Sequence, residues 1–536
     1  MFSQIRRFWL GSSLMWGLMA CTSTESASPP RAVAEKKDPE LMSTIHGQPQ
    51  PEVWFAGPVT AAFMQAKKDN KLVFLYWGAV WCPPCNELKA NVFSQKGFAD
   101  LMQAFVPVYL DGDTEEAQIW GEKLQIAGYP TVLVLDAEQG EMFRLNSSVD
   151  LAEFTEAVQP LVGKSQNFAH AAQRVEQGKP TPADWKVLAY ADWDQLPQKQ
   201  VWTASHKLKV LGQALALIPS TLTREKALLS AQWLSFAAQA PVEGNRPPAP
   251  PVAGVKKIAQ RALDAVLNDP VGIRATRVFI NNQAEAVSRW LYPQAKGPDF
   301  ASLKARWEKA ASLVEADPTV SIDNRLWAVY PALVFNRLEH PGTPVPEALK
   351  QRVQKAVARA NEQAKEPFSR HAVISGAAYL LRQVGDAPGA RQLLTAEAEK
   401  TDTPWYYYSS LAGLEQEMKQ PAEARKWAEK ARQTAQGRAS KIQWITSDIA
   451  LNAKLQSPEQ KAYLLTVTKE FYDLATQLSD GFAGRNRTRA DTVRDSLTSF
   501  RRDHDFAQLF VQYEKRCQQL QGENKSNCQQ HFKGLL

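Results

Sequence analysis

The stretch Lys71-Leu72-Val73-Phe74-Leu75-Tyr76-Trp77-Gly78-Ala79-Val80-Trp81-Cys82-Pro83-Pro84-Cys85 decides the fold. Lys71 to Trp77 is an apolar run without helical spacing, the pattern of a central strand covered on both faces. Beyond the two cysteines, Asn86 to Gln95 reads as a helix, with Leu88 and Val92 four apart. Val106 to Asp111 reads as a second strand, Glu115 to Ile126 as a helix, and Gly128-Tyr129-Pro130-Thr131 leads into a third strand, Val132 to Asp136. Glu141 to Arg144 is a fourth strand and Leu151 to Val162 a closing helix. A dithiol at a helix start has a definite chemistry. The positive end of the helix dipole favours thiolate over thiol, and the thiolate attacks a substrate disulfide to give a mixed disulfide. Cys82 is therefore the expected nucleophile and Cys85, one turn on, the resolving thiol. Pro83 and Pro84 remove two backbone N–H groups and so change how many donors can reach the thiolate.

Other uses of such a pair can be weighed. Covalent haem attachment needs His after the second cysteine, where Asn86 stands. A zinc site needs two more ligands at matching spacing, and no second Cys pair or His pair accompanies this one. The seven His are scattered (His46, His170, His206, His340, His371, His504, His531). No metal and no bound cofactor are expected; the redox group is the dithiol itself. A structural disulfide and copper handling stay open as alternatives.

The order strand, Cys-x-x-Cys, helix, strand, helix, Tyr-Pro-Thr, hairpin, helix resembles the thioredoxin fold over residues 52–163. Trp54-Phe55, Ala61 to Lys67, Lys71 and Val92-Phe93-Ser94 resemble the thioredoxin-like domains of periplasmic disulfide reductases and lipoproteins. By that resemblance Pro130 is a cis-proline facing the disulfide. Tyr129 then pairs with the substrate backbone, and Trp81, Tyr129 and Pro130 shape the contact surface. The family's buried acid, six residues before the first cysteine, is replaced by Tyr76, leaving water or Glu87 as substitutes.

At the N-terminus, Arg6 and Arg7 precede the apolar stretch Phe8 to Ala20, the length of a signal-peptide core and too short to span a bilayer. Leu18-Met19-Ala20-Cys21 resembles the lipobox of bacterial lipoproteins. That implies a signal peptide over 1–20, lipid on Cys21, and a periplasm-facing protein. Thr22 in place of Asp implies the outer membrane. Residues 21–51, rich in Ser, Thr, Pro and charge, read as a flexible tether. Setting Cys21 aside, the five cysteines leave two pairs. Cys517 and Cys528 are expected to form a structural disulfide, worth up to about 3 kcal/mol, with a second redox couple as the alternative.

Charge divides the chain. Residues 51–165 carry net −7, and residues 166–536 carry +13. The step coincides with a change of pattern, so a helical domain is expected over 166–536, rich in Ala, Leu, Gln, Lys, Arg and Glu. Two Ala-rich runs close in Asp269-Pro270 and Asp317-Pro318, and a third ends at Pro219, each read as a helix end. Gly385-Asp386-Ala387-Pro388-Gly389-Ala390-Arg391 aligns with Lys419-Gln420-Pro421-Ala422-Glu423-Ala424-Arg425 at a shift of 34. That is the tetratricopeptide period, and the Asp-Pro endings resemble those repeats too. An all-α helical-repeat solenoid is expected, with a non-repeating helical domain as the alternative. Trp405-Tyr406-Tyr407-Tyr408 read as helix packing, Arg485 to Arg502 as a solvated basic face, and Val242 to Val252 as a surface loop. There is no phosphate loop, no nucleophile elbow and no nucleic-acid module.

The sequence thus implies a membrane-anchored thiol–disulfide oxidoreductase acting on protein thiols and disulfides. It would be fed by an upstream membrane reductant, with helical repeats binding a peptide or protein partner and no nucleic acid. The rival is a helical adaptor lipoprotein whose thioredoxin-like part is structural.

Overall fold

A computed structural model describes residues 48–145, 149–163, 167–196, 202–239, 251–454 and 458–536. The signal segment 1–20, Cys21, the tether through residue 47 and the proline-rich segment through residue 250 lie outside these residues.

Four strands, β1 (Leu72–Gly78), β2 (Phe105–Asp111), β3 (Thr131–Leu135) and β4 (Glu141–Leu145), form a mixed sheet in the order β2-β1-β3-β4. β1 is parallel to β2 and antiparallel to β3. A parallel pair needs a crossover, and the helices Pro83–Leu88 and Lys96–Met102 supply it. Every residue of β1 is buried, because both faces of the sheet are covered. Phe74 and Tyr76 point among Trp54, Phe93, Phe98 and Phe154. Val73, Leu75 and Trp77 alternate to the other face, against Phe63 of helix Val59–Asp69 and Trp120 of helix Glu115–Lys123. The helix after the cysteines starts at Pro83, earlier than the hydrophobic spacing suggests, since proline is preorganised for the first helical position. The closing helix Leu151–Val158 begins with an Asp150/Glu153 capping box and gives way to a 3-10 turn over Gln159–Leu161.

The fold class is a thioredoxin-like α/β unit followed by a long region of many helices, consistent with a helical-repeat arrangement. These helices run from Phe168–Glu176 to Gly522–Lys533. Neighbours in sequence pack on one another, as Pro367–Gln383 does on Ala387–Ala398 and Trp405–Glu417 on Pro421–Thr434. Ala424, Ala428 and Ala431 form one buried face, where small side chains permit close approach. The Asp-Pro signal has two outcomes. Asp317 closes the helix Pro298–Ala316 as expected. The helix Ala253–Leu267 also ends as expected, at Asn268, and Asp269 in addition opens the next helix, its carboxylate accepting from Val271 and Gly272 N–H with Pro270 at the first helical position. The same dipeptide suits a start because Asp caps and Pro needs no donor. One bridge, Leu145 to Ala191, brings the helical region to the sheet edge.

Pro49–Leu536 is one compact unit. A continuous buried core runs from Trp54 through Phe154, Trp185 and Trp233 to Phe335. The charge division is expressed as contacts within it. Arg224, Arg274 and Arg277 reach Glu156, Asp150 and Glu153 on or beside the helix Leu151–Val158. Arg277 grips Glu153 through two parallel hydrogen bonds of 2.8 Å, both side chains buried, the strong fork geometry of guanidinium and carboxylate. Cys517 and Cys528 are bonded, buried in a separate core with Phe510, Tyr513 and Phe532.

Candidate functional site

Cys82 is the N-cap of helix Pro83–Leu88 and is bonded to Cys85. Because Pro83 and Pro84 lack N–H groups, the amide that reaches the Cys82 sulfur is that of Cys85, at 3.2 Å. Asn86, buried, fixes the turn by donating to the carbonyls of Val80 and Cys82 at 2.8 and 2.9 Å. The residue that speaks against haem is therefore the clamp on the redox loop. The Tyr129–Pro130 peptide is cis. Tyr129 stacks on Trp77 with ring centroids 4.3 Å apart, and its edge meets Trp81 at 5.7 Å. A side chain at Gly112 would strike the Tyr129 hydroxyl, so glycine is required beneath that ring. Cys82, Cys85, Trp81, Tyr129 and Pro130 thus come together. Cys21 lies outside the described residues, and Cys517–Cys528 sits in a core of its own.

The site is not open to solvent. Cys82 is 3% exposed and Cys85 0%. Both belong to a buried cluster with Trp405, Ala431, Ala435 and Trp444 of the helical region. Tyr406 stacks on Trp81 at 5.8 Å, Trp444 meets it edge-on at 5.7 Å, and the two are themselves 6.0 Å apart. Trp81 donates through its indole N–H to the Ser440 hydroxyl at 2.7 Å. Ser440 in turn donates its hydroxyl and its backbone N–H to the two carboxylate oxygens of Asp113, each at 2.8 Å. Burial, with the nearby Asp111 charge, raises the Asp113 carboxyl to about 6 against the pull of these hydrogen bonds. Gly437, at φ 76°, makes this approach possible, since a Cβ there would lie 2.5 Å from Asp113 Cβ.

Arg485 closes another side. Its guanidinium lies 4.2 Å from the Trp77 ring centroid and 5.4 Å from that of Tyr129, cation–π distances. It also donates to the Gln118 side chain. The expectation of a solvated basic face over 485–502 fails at this residue, because aromatic rings of the sheet offer it a face. Trp405 and Tyr407 are buried as helix packing. Trp405 shares the cysteines' buried cluster, and Tyr406 is the member of that run that stacks on Trp81. Trp405 and Trp444 bury their indole N–H groups without a hydrogen-bond partner.

Beneath the redox helix, Tyr76 is a core residue. Its ring packs on Phe93 and Tyr109, each at 4.9 Å, and its buried hydroxyl has no hydrogen-bond partner. Burial holds that hydroxyl well above its ordinary pKa, so it stays a neutral phenol. Glu87 is no substitute for the missing acid. It stands two residues from Cys85, and such pairs do not share a helix face. It turns instead to the helical region, accepting from Ser321 at 3.2 Å and Asn324 at 2.6 Å. It lines a cavity of about 330 Å³ with Asp323 and Arg277. Burial raises both carboxyls, and the Glu87 charge adds to the rise at Asp323.

Sequence reasoning misses Asp113, Ser440, Arg485 and Lys89. Ser440 meets Asp113, and Arg485 meets Gln118, across more than 300 residues of chain, which local pattern does not encode. Asp111-Gly112-Asp113 at the end of a strand and the isolated Gly437 are the available signals. Among the described residues no group of three or more His, Cys, Asp or Glu is placed to hold a metal ion. No helix among them is long and apolar enough to cross a membrane.

Comparison with known proteins locates the likeness in one segment. Residues 59–160 match the thioredoxin-like domain family. A thioredoxin from Thermus thermophilus, solved in solution, is 29% identical, covering 21% of this chain and 88% of that one, with a TM-score of 0.19. No curated protein matches the chain.

Proposed function

We propose that this chain is a thiol–disulfide oxidoreductase acting on protein cysteines, with Cys82 attacking and Cys85 resolving. One observation carries the reading: a disulfide closed inside the first helical turn, its N-cap sulfur receiving the Cys85 amide, just past the end of the interior strand β1 and beside Tyr129, which precedes the cis Pro130. When the pair is reduced, the same amide and dipole are in place to hold a thiolate on Cys82. Two electrons are carried by the dithiol, so no bound cofactor is called for, and a membrane reductant would renew it. Trp81, Tyr129 and Pro130 supply the client surface. In the closed arrangement the helices Trp405–Glu417, Pro421–Thr434 and Arg438–Asn452 stand where a client would, so exchange requires their separation from the site. The region 166–536 then serves both as cover and as the recruiter of a client.

The test is trapping in cells. A full-length Cys85→Ala chain should accumulate mixed disulfides through Cys82 that a reductant releases. A second reading, a helical adaptor with a structural disulfide, is favoured by the burial of both sulfurs. It takes over if Cys85→Ala traps no partner while Cys82–Cys85 stays oxidised in every growth condition.

For location we propose lipid attachment at Cys21 and anchoring to the outer membrane, facing the periplasm, through acyl chains worth about 0.8 kcal/mol per buried CH₂. Cys21→Ser should lose lipid labelling and leave the membrane fraction; a variant that keeps its label removes this part of the proposal.

A further inference from the structure

Lys89 is 0% exposed, and its ammonium nitrogen has no hydrogen-bond partner. Its backbone N–H donates to the carbonyls of Cys85 and Asn86, which places it one turn beyond the resolving cysteine. Residues four apart share a helix face, so the amine is carried on the buried side from which Cys85 projects. The nitrogen lies between two rings, 5.6 Å from the centroid of Tyr109 on β2 and 5.5 Å from that of Phe368 on helix Pro367–Gln383. The titratable groups around it are Tyr76 and Tyr109 from the sheet, Asp111 at the end of β2, and His371 from the covering helix. Both phenols are held neutral by burial, and burial also lowers His371. Burying an amine without a partner costs stability unless it becomes neutral. Burial pushes Lys89 down to about 8, with Asp111 opposing the fall.

We propose that Lys89 is the proton acceptor of the Cys85 thiol, filling from the helix the role that Tyr76 leaves empty in the strand. The inference rests on the exchange reading above. Cys82 thiolate attacks the substrate disulfide, forming a Cys82–substrate disulfide and releasing one substrate thiolate. The Cys85 S–H proton passes to the neutral Lys89 amine. The Cys85 thiolate then attacks Cys82 Sγ, breaking the Cys82–substrate bond. The second substrate thiolate departs and is protonated by water or the Lys89 ammonium. The protein dithiol is oxidised by two electrons and the substrate disulfide is reduced by two.

The test uses the full-length reduced chain and dithiobis(nitrobenzoate). Attack forms a Cys82–thionitrobenzoate adduct, and resolution consumes it. The adduct is followed by mass spectrometry after acid quenching, from pH 6 to about 9.5, a span that brackets the ordinary thiol range. In the wild-type chain resolution should accelerate with pH and level off near 8, where the amine becomes neutral. Lys89→Met should slow resolution by about 10²-fold near neutrality, a typical share for a positioned proton acceptor. It should also lose the plateau and have a melting temperature no lower than wild type. Lys89→Arg keeps a cation but cannot deprotonate. It should preserve adduct formation and lose resolution to the same extent, which keeps the test decisive if the Met variant fails to fold. Wild-type resolution and pH profile in Lys89→Arg would overturn the proposal. A wild-type chain that forms no adduct at all overturns the exchange reading itself.

Discussion

Cys82→Ser should abolish disulfide exchange and leave the fold intact. Serine is a good N-cap, so the helix Pro83–Leu88 keeps its start, and Asn86 still clamps the carbonyls of Val80 and residue 82. What is lost is the sulfur on which the mechanism turns. A serine hydroxyl has no low-pKa anion to offer, so exchange should fall to the rate of the reagents alone. Cys85→Ser should behave differently. Its first step remains, and the chain should stall as a mixed disulfide through Cys82. The asymmetry is checked by incubating each reduced variant with a disulfide-bonded peptide and mapping adducts by mass spectrometry. Adducts on Cys85 in Cys82→Ser, with Cys85→Ser inert, would reverse the assigned roles.

Ser440→Ala should expose the redox pair. Ser440 accepts from the Trp81 indole and donates to Asp113, so alanine removes two hydrogen bonds, one of them to a carboxylate. Each is worth about 1–3 kcal/mol when its partner is left buried and unsatisfied. The two together come to about 2–6 kcal/mol, and since about 1.4 kcal/mol is a factor of ten, the open population should rise by at least about 30-fold. The readout is the rate at which a bulky water-soluble phosphine reduces Cys82–Cys85, followed by alkylation and peptide mapping. Circular dichroism should be unchanged, and Cys517–Cys528, which is buried in a different cluster from Trp81, serves as the internal reference. An unaltered rate would mean that reductant reaches the pair without parting Trp81 from the helix Arg438–Asn452.

The sheet was legible because its information is local. A seven-residue apolar run has few fates other than a strand buried on both faces, and β1 took that one. The cysteines' place beside a helix start followed from the Leu88 and Val92 spacing after them, although the helix itself begins earlier, at Pro83. Trp405 and Tyr407 were legible as packing for the same reason. The cover was not legible. Ser440 carries no signal for Asp113, and Arg485 looks like any surface arginine until two stacked rings lie beneath it. Lys89 is a subtler case. A lysine in an amphipathic stretch reads as solvent-facing, and only the second layer of helices, through Phe368, encloses it. Asp269 shows a third kind of ambiguity, in which one dipeptide suits a helix end and a helix start alike.

The closure over Trp81 bears on how selective the chain can be. A segment that binds only the open form has its affinity divided by the open fraction. With about one molecule in a hundred open, an intrinsic Kd of about 1 μM would read as about 100 μM. The cover is part of the same chain and competes at the millimolar effective concentrations typical of tethered groups. A stray thiol therefore meets a poor target. A client that also holds the helical region gains a local concentration of its own and can displace Tyr406 and Trp444 from the indole they cover. Discrimination would then arise from the requirement for two simultaneous contacts, with the redox pair itself indifferent to the sequence around the sulfur it attacks.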